Sequence, residues 1–147
     1  MKRMFVVLAI IASSTIAVSH AHAETAIGAV FGYPGNAGVS VRMDRMPINA
    51  AWSNDFFHAT IDMWMSKKQL KGADGKLSWY WGPGADLGFP LNNDHDFFLA
   101  ARVPFGLQYM ATPKLELFGE LAPGIQLLDT TDFYWAGDVG IRFVLGK

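Results

Sequence analysis

In four successive runs, residues 77–89, 97–109, 115–127 and 133–145, the large apolar side chains keep mostly to odd positions and the charges to even ones. The odd set includes Leu77, Trp79, Trp81, Leu107, Leu117, Leu121, Trp135, Val139 and Phe143; the even set holds Asp86, Arg102, Glu116, Glu120, Asp138 and Arg142. A period of two sends successive side chains to opposite faces of a β-sheet, so each run is a strand with one oily and one ionised face. Such a sheet has two ways to satisfy both faces. It buries the oily side in water, or it turns that side outward into lipid and encloses the charges.

The N-terminus bears on the choice. Lys2 and Arg3 precede an apolar core, residues 4–12, and Ala21, His22 and Ala23 provide the small-x-small pattern of a signal-peptidase site. Export through a Sec-type route with cleavage after Ala23 is expected, making residues 1–23 a signal peptide and residues 24–147 a single domain. Ser13, Ser14 and Thr15 break the apolar run before it reaches the twenty or so residues of a helical span. The chain has no Cys, so neither disulfides nor a lipid-modified Cys terminus contributes. Its 12 basic and 13 acidic residues nearly balance, and no basic face is set among aromatics, which argues against nucleic acid as a partner.

The first half of the domain continues the pattern. Val39, Val41 and Met43 oppose Ser40, Arg42 and Asp44; Phe57, Ala59, Ile61 and Met63 oppose His58, Thr60, Asp62 and Trp64. With a strand in 24–32 and another in 48–53, and turns at 34–36, 45–47, 53–55, 66–76, 90–96, 111–114 and 129–132, the count is eight strands. Eight strands of roughly nine to eleven residues suffice for the smallest common membrane barrel. Lipid offers no partner to an open sheet edge, so a lipid-facing sheet must close. The expected fold is therefore all-β: an eight-stranded antiparallel up-and-down transmembrane β-barrel. Alternating strand direction gathers Trp52 and Trp135 toward one rim and Trp79, Trp81, Tyr109 and Phe143 toward the other, as aromatic girdles at the two membrane interfaces.

The competing reading is a soluble periplasmic β-barrel carrier with the odd positions turned in. Against it, the even face is rich in Gly82, Gly84, Gly88, Ala100, Gly106, Ala122, Gly124, Ala136 and Gly140 and poor in Lys. Small residues mixed with balanced charges suit the filled lumen of a narrow barrel better than a solvated surface.

The segments Ser78-Trp79-Tyr80-Trp81-Gly82-Pro83-Gly84, Arg102-Val103-Pro104-Phe105-Gly106-Leu107-Gln108-Tyr109, Leu115-Glu116-Leu117-Phe118-Gly119-Glu120-Leu121-Ala122-Pro123 and Gly140-Ile141-Arg142-Phe143 resemble those of small, functionally uncharacterised bacterial outer-membrane β-barrel proteins. The resemblance spans about residues 77–145. It implies an eight-stranded barrel in the Gram-negative outer membrane, in contact with outer-membrane lipid and inserted by the barrel assembly machinery. It implies no activity. Many such barrels end in an aromatic residue read during assembly, whereas here Phe143 is followed by Val144, Leu145, Gly146 and Lys147.

Arg42, Asp62, Asp86, Arg102, Glu116, Glu120, Asp138 and Arg142 are the expected lumen charge network. Strand order suggests Arg102 between Asp86 and Glu116 or Glu120, and Arg142 near Asp138 and Glu116. An eight-stranded barrel has room only for side chains, so these groups must neutralise one another and no aqueous pore is expected. His58 lies four residues from Asp62 on one strand, roughly 13 Å away, too far to touch it. Ser40, Thr60 and Ser78 show no spacing diagnostic of a nucleophile, so no catalytic set is assigned. His95 lacks a second close His, so no metal site is expected. No cofactor is expected either.

Pro83, Pro104 and Pro123 fall within three successive strands. Proline removes a ladder hydrogen bond, so these are expected strand kinks, either bulges of a tightly curved sheet or a weakened seam through which a lipid tail enters sideways. The functional expectation is a non-enzymatic outer-membrane protein with a structural, small-ligand or lipid-contact role, a small apolar ligand included. Its alternatives are a lipid-modifying barrel enzyme with lateral access and the soluble carrier.

Overall fold

The computed structural model describes residues 24–128 and 131–146; the expected signal peptide lies outside the described residues. Among them there is no helix long and apolar enough to cross a membrane. Strands β1 (Thr25–Tyr33), β2 (Ala37–Met43), β3 (Met46–Trp52), β4 (Phe56–Asp62), β5 (Ser66–Gln69), β6 (Leu77–Trp81), β7 (Gly84–Pro90), β8 (Phe98–Arg102), β9 (Phe105–Thr112), β10 (Leu115–Gln126) and β11 (Phe133–Gly146) form one antiparallel sheet. The order β1-β2-β3-β4-β7-β8-β10-β11 returns to β1, because β11 pairs with β1 as well as with β10. The sheet therefore closes as an eight-strand hydrogen-bonded ring and has no free edge along that circuit.

The remaining segments extend three members of the ring. β5 continues β4, β6 precedes β7, and β9 continues β8, with the pairings β5–β6, β6–β9 and β9–β10 stacked beneath β4–β7, β7–β8 and β8–β10. The breaks fall at Gly82-Pro83 and Val103-Pro104, where proline has no N–H to donate. Register passes through the break between those two strands without a shift, since Trp81 faces Phe105 on one side of it and Gly84 faces Arg102 on the other. β10 runs unbroken through Pro123, which pairs with Trp135. A bulge at each proline is thus corrected: Pro83 and Pro104 interrupt the ladder, and Pro123 does neither.

One extra residue sits opposite this seam. Asp62 faces Gly84 while Ser66 faces Trp81, so four steps along β4–β5 match three along β6–β7. That added residue reverses the side-chain alternation, and Lys67 turns back to place its Nζ 5.5 Å from the Trp64 ring. The connection expected over residues 66–76 is accordingly shorter, because Ser66–Gln69 is strand.

The parity of the sequence becomes the inside and outside of the ring. Leu121 is 63% exposed, Val139 60% and Leu107 49%, whereas Asp86, Glu116 and Arg142 are 0% and Arg42 and Arg102 2%. The ring buries its ions and displays its hydrocarbon.

Candidate functional site

The polar interior is built by side chains that cross a glycine to reach the next strand but one. Cross-strand neighbours share a face, and in the row Arg102–Gly84–Asp62 the middle member has no side chain. Arg102 lies over that gap and donates from Nε and Nη2 to the two Asp62 carboxylate oxygens, both at 2.9 Å. A Cβ at Gly84 would collide with Asp62 Oδ1. The row Tyr80–Gly106–Glu120 repeats the device: Tyr80 donates to Glu120 Oε2 at 2.8 Å, and a Cβ on Gly106 would strike its ring. In the row Arg142–Gly28–Ser40, Arg142 Nε reaches Ser40 Oγ at 2.7 Å.

These links assemble three clusters along the ring axis. Nearest the strand ends beside Glu24, the Glu116 carboxylate accepts from Arg42 Nη2 and from Arg142 Nη1, each at 2.7 Å. Arg42 also donates to Glu24 and to the Asp44 carbonyl, and Arg142 lies 3.6 Å over the Phe118 ring. In the middle, Arg102 bridges Asp62 and Glu120. Glu120 and Asp138 are direct cross-strand neighbours. Like charges so placed repel, and Arg102 relieves this, its Nη1 standing 3.9 Å from Asp138 Oδ2 without a hydrogen bond. At the far end Asp86 meets His58 Nδ1 at 3.2 Å and accepts from Tyr134 at 3.3 Å, among the rings of Phe56 and Phe98.

Two pairings suggested by strand order are corrected. Arg102 binds Asp62 and Glu120 rather than Asp86, and Arg142 binds Glu116 but not Asp138. The Arg102–Asp62 link joins next-nearest strands through the Gly84 slot, which nearest-neighbour reasoning overlooks, whereas Arg142 pairs with its direct cross-strand neighbour Glu116 and not with Asp138 on its own strand. That reasoning also missed Glu24, Ser40, Tyr80 and Tyr134 as partners. The polar parity of the last three was visible, but Arg142 lies two strands from Ser40, Glu120 two from Tyr80 and Asp86 three from Tyr134. It missed as well the interior aromatics Trp64 and Phe118. Trp64, 1% exposed, stacks on Tyr80 with centroids 4.1 Å apart. His58 and Asp62 do not touch; each has another partner.

Of the outward aromatics, Trp52, Phe57, Phe89 and Phe97 form a chain of contacts at one rim, with successive centroids 5.4, 6.1 and 5.2 Å apart, and Phe133 and Trp135 meet at 5.4 Å. Trp81 stacks on Phe105 at 6.4 Å in the row of Leu121, about midway along the wall and not at the other rim, while Tyr109 and Phe143, nearer that rim, are exposed and Trp79 is half-buried.

Chemically, the interior holds charges in place. No group of His, Asp and Glu among the described residues has the geometry of a metal site. The His58–Asp86 pair has the form of a base and its orienting carboxylate, yet no Ser or Thr hydroxyl is hydrogen-bonded to His58 among the described residues. No protein-family model matches the chain, no curated protein matches its sequence, and no solved structure matches its fold.

Proposed function

We propose that this chain is an exported outer-membrane protein: an eight-stranded, up-and-down transmembrane β-barrel with a filled, charge-paired lumen and a structural or lipid-contact role. The observation that carries the reading is the inversion of burial, with Leu121, Val139, Phe143 and Leu145 exposed around a ring that encloses Arg42, Arg102 and Arg142. Soluble monomers rarely expose contiguous apolar patches beyond a few hundred Å², and a belt of apolar side chains all round a closed sheet finds its solvent in hydrocarbon. A soluble carrier would need these side chains inside. The interlocked interior argues for a plug rather than a pore, and a small apolar ligand would find its contacts on the outer wall.

The test is fractionation with a heat-modifiability gel. The expected result is a membrane-associated protein that begins at Glu24, needs detergent for extraction, and migrates differently before and after boiling. Recovery in the soluble periplasmic fraction without detergent would contradict the reading.

One observation favours a second role. Between Trp81/Phe105 and Gly84/Arg102 the ladder is interrupted where Pro83 and Pro104 lack donors, and the Arg102–Asp62–Glu120 cluster adjoins that seam. A lipid tail entering there would have the lateral access that a lipid-modifying barrel enzyme needs. Ester or acyl turnover of outer-membrane lipid that is lost in His58→Ala would favour it.

A further inference from the structure

Two features of the outer wall lie on the same strands. The first is a trough of about 910 Å³ crossing β6, β9, β10 and β11 and reaching β1, lined by Trp79, Leu107, Leu117, Leu121 and Val139 among others. It exists because Gly119 and Gly137 occupy outward positions where neighbouring rows carry large side chains. In the row Trp79–Leu107–Gly119–Val139–Phe31 the third member is missing its side chain, and in the next row Gly137 stands between Leu121 and Tyr33.

The second is the charge at the strand ends just beyond the trough. Lys76 immediately precedes β6 and Lys114 immediately precedes β10. Each is three residues, about 10 Å, from a trough residue on its own strand, Trp79 and Leu117 respectively. Lys68, the cross-strand partner of Trp79, stands farther along, at the side of the trough. All three are exposed, and none forms an ion pair. The opposite end is of contrary sign: its described connections carry Asp55, Asp94, Asp96 and Asp132 and no Lys or Arg. The wall therefore presents an apolar slot capped by cations at one end only.

We propose that this slot seats one anionic phospholipid of the leaflet at the chain-terminal end of the ring, its phosphate between Lys76 and Lys114 and an acyl chain along the trough beside Gly119 and Gly137. The assignment rests on the membrane reading above and goes beyond it by naming the lipid and its place. Charge complementarity selects the headgroup, since a zwitterionic lipid offers the lysines no net negative charge. The glycines select the position, since Gly119 and Gly137 lie in adjacent rows of the wall beside the lysines, whereas its other small outward pairs, Ala50–Ala59 and Ala85–Ala101, lie on strands away from them.

The full chain, reconstituted in vesicles of mixed phosphatidylcholine and phosphatidylglycerol of identical acyl composition and released into detergent, is examined by native mass spectrometry. The expected result is one retained phosphatidylglycerol, favoured over phosphatidylcholine by about tenfold. Lys76→Gln with Lys114→Gln should bring the two lipids to near-equal retention. Gly119→Leu, which fills the trough and leaves the lysines in place, should reduce retention of both. Equal retention by the unaltered chain, or retention indifferent to both variants, overturns the site while leaving the membrane reading standing. A chain that does not enter the vesicles overturns both.

Discussion

Replacing Arg102 with Met is expected to destabilise the folded ring by about 3–5 kcal/mol, because it strands carboxylates that have no water to turn to. The Asp62 side chain is 0% exposed and that of Glu120 is 1% exposed. Their mutual repulsion and that of Asp138 are held in check by one guanidinium. The measurement is equilibrium unfolding by urea in phospholipid vesicles, with the folded fraction read from migration before boiling. Removing the whole set should do less harm than removing its centre. The triple variant Arg102→Met, Asp62→Asn, Glu120→Gln is expected to recover most of the loss, since uncharged groups of similar volume avoid the desolvation of ions altogether. Gly84→Ala provides a route that leaves every charge in place. Its Cβ would occupy the position of the Asp62 carboxylate oxygen, so it too should weaken the Arg102–Asp62 pair and lower the midpoint. If Arg102→Met unfolds within about 0.5 kcal/mol of the unaltered chain, as an ordinary surface substitution does, the interior is wet and the network unimportant.

The second large effect lies on the opposite face. Leu121→Arg introduces a cation at a position already 63% exposed. In a water-soluble protein such a change falls within about ±0.5 kcal/mol. On a lipid-facing wall it costs about 2–4 kcal/mol when the site is near the bilayer midplane and little near the interfaces. The same unfolding experiment on Leu121→Arg and on Leu145→Arg, near the end of β11, should therefore give a large loss for the first and a small one for the second. Equal and negligible losses at both would mean that the outer wall does not meet hydrocarbon.

Much of this arrangement was legible in the alternation alone. Leu117, Leu121 and Val139 share a parity opposite to Glu116, Glu120 and Arg142, and a closed sheet must put one set outside. The even-position glycines also carried a message that composition read only as smallness. Gly84 and Gly106 are slots, as is Gly28 in the less regular first strand, and each lets one long side chain span two strands.

What was not legible followed from distance in sequence and from a single inserted residue. Arg102 and Asp62 are separated by 40 positions and Arg42 and Glu116 by 74, and which rows meet across a ring depends on strand stagger that alternation does not encode. The extra residue between Asp62 and Ser66 reversed the pattern for Lys67, so a stretch dense in Lys read as a turn when its first part was strand. Trp64, Tyr80 and Phe118 sat on the polar parity in plain view. Aromatic rings were expected at the rims, and there was no pattern to say that three of them would plug the centre.

The most direct test of the inverted ring uses the absence of Cys from the chain. Single Cys replacements at positions 137 to 143 of β11, spin-labelled in phospholipid vesicles, report collision with oxygen, which concentrates in hydrocarbon, and with a water-soluble nickel complex. The account predicts high oxygen and low nickel accessibility at 137, 139, 141 and 143, and low accessibility to both at 138, 140 and 142. Nickel access at the odd positions, or oxygen access alternating in the opposite phase, would contradict it.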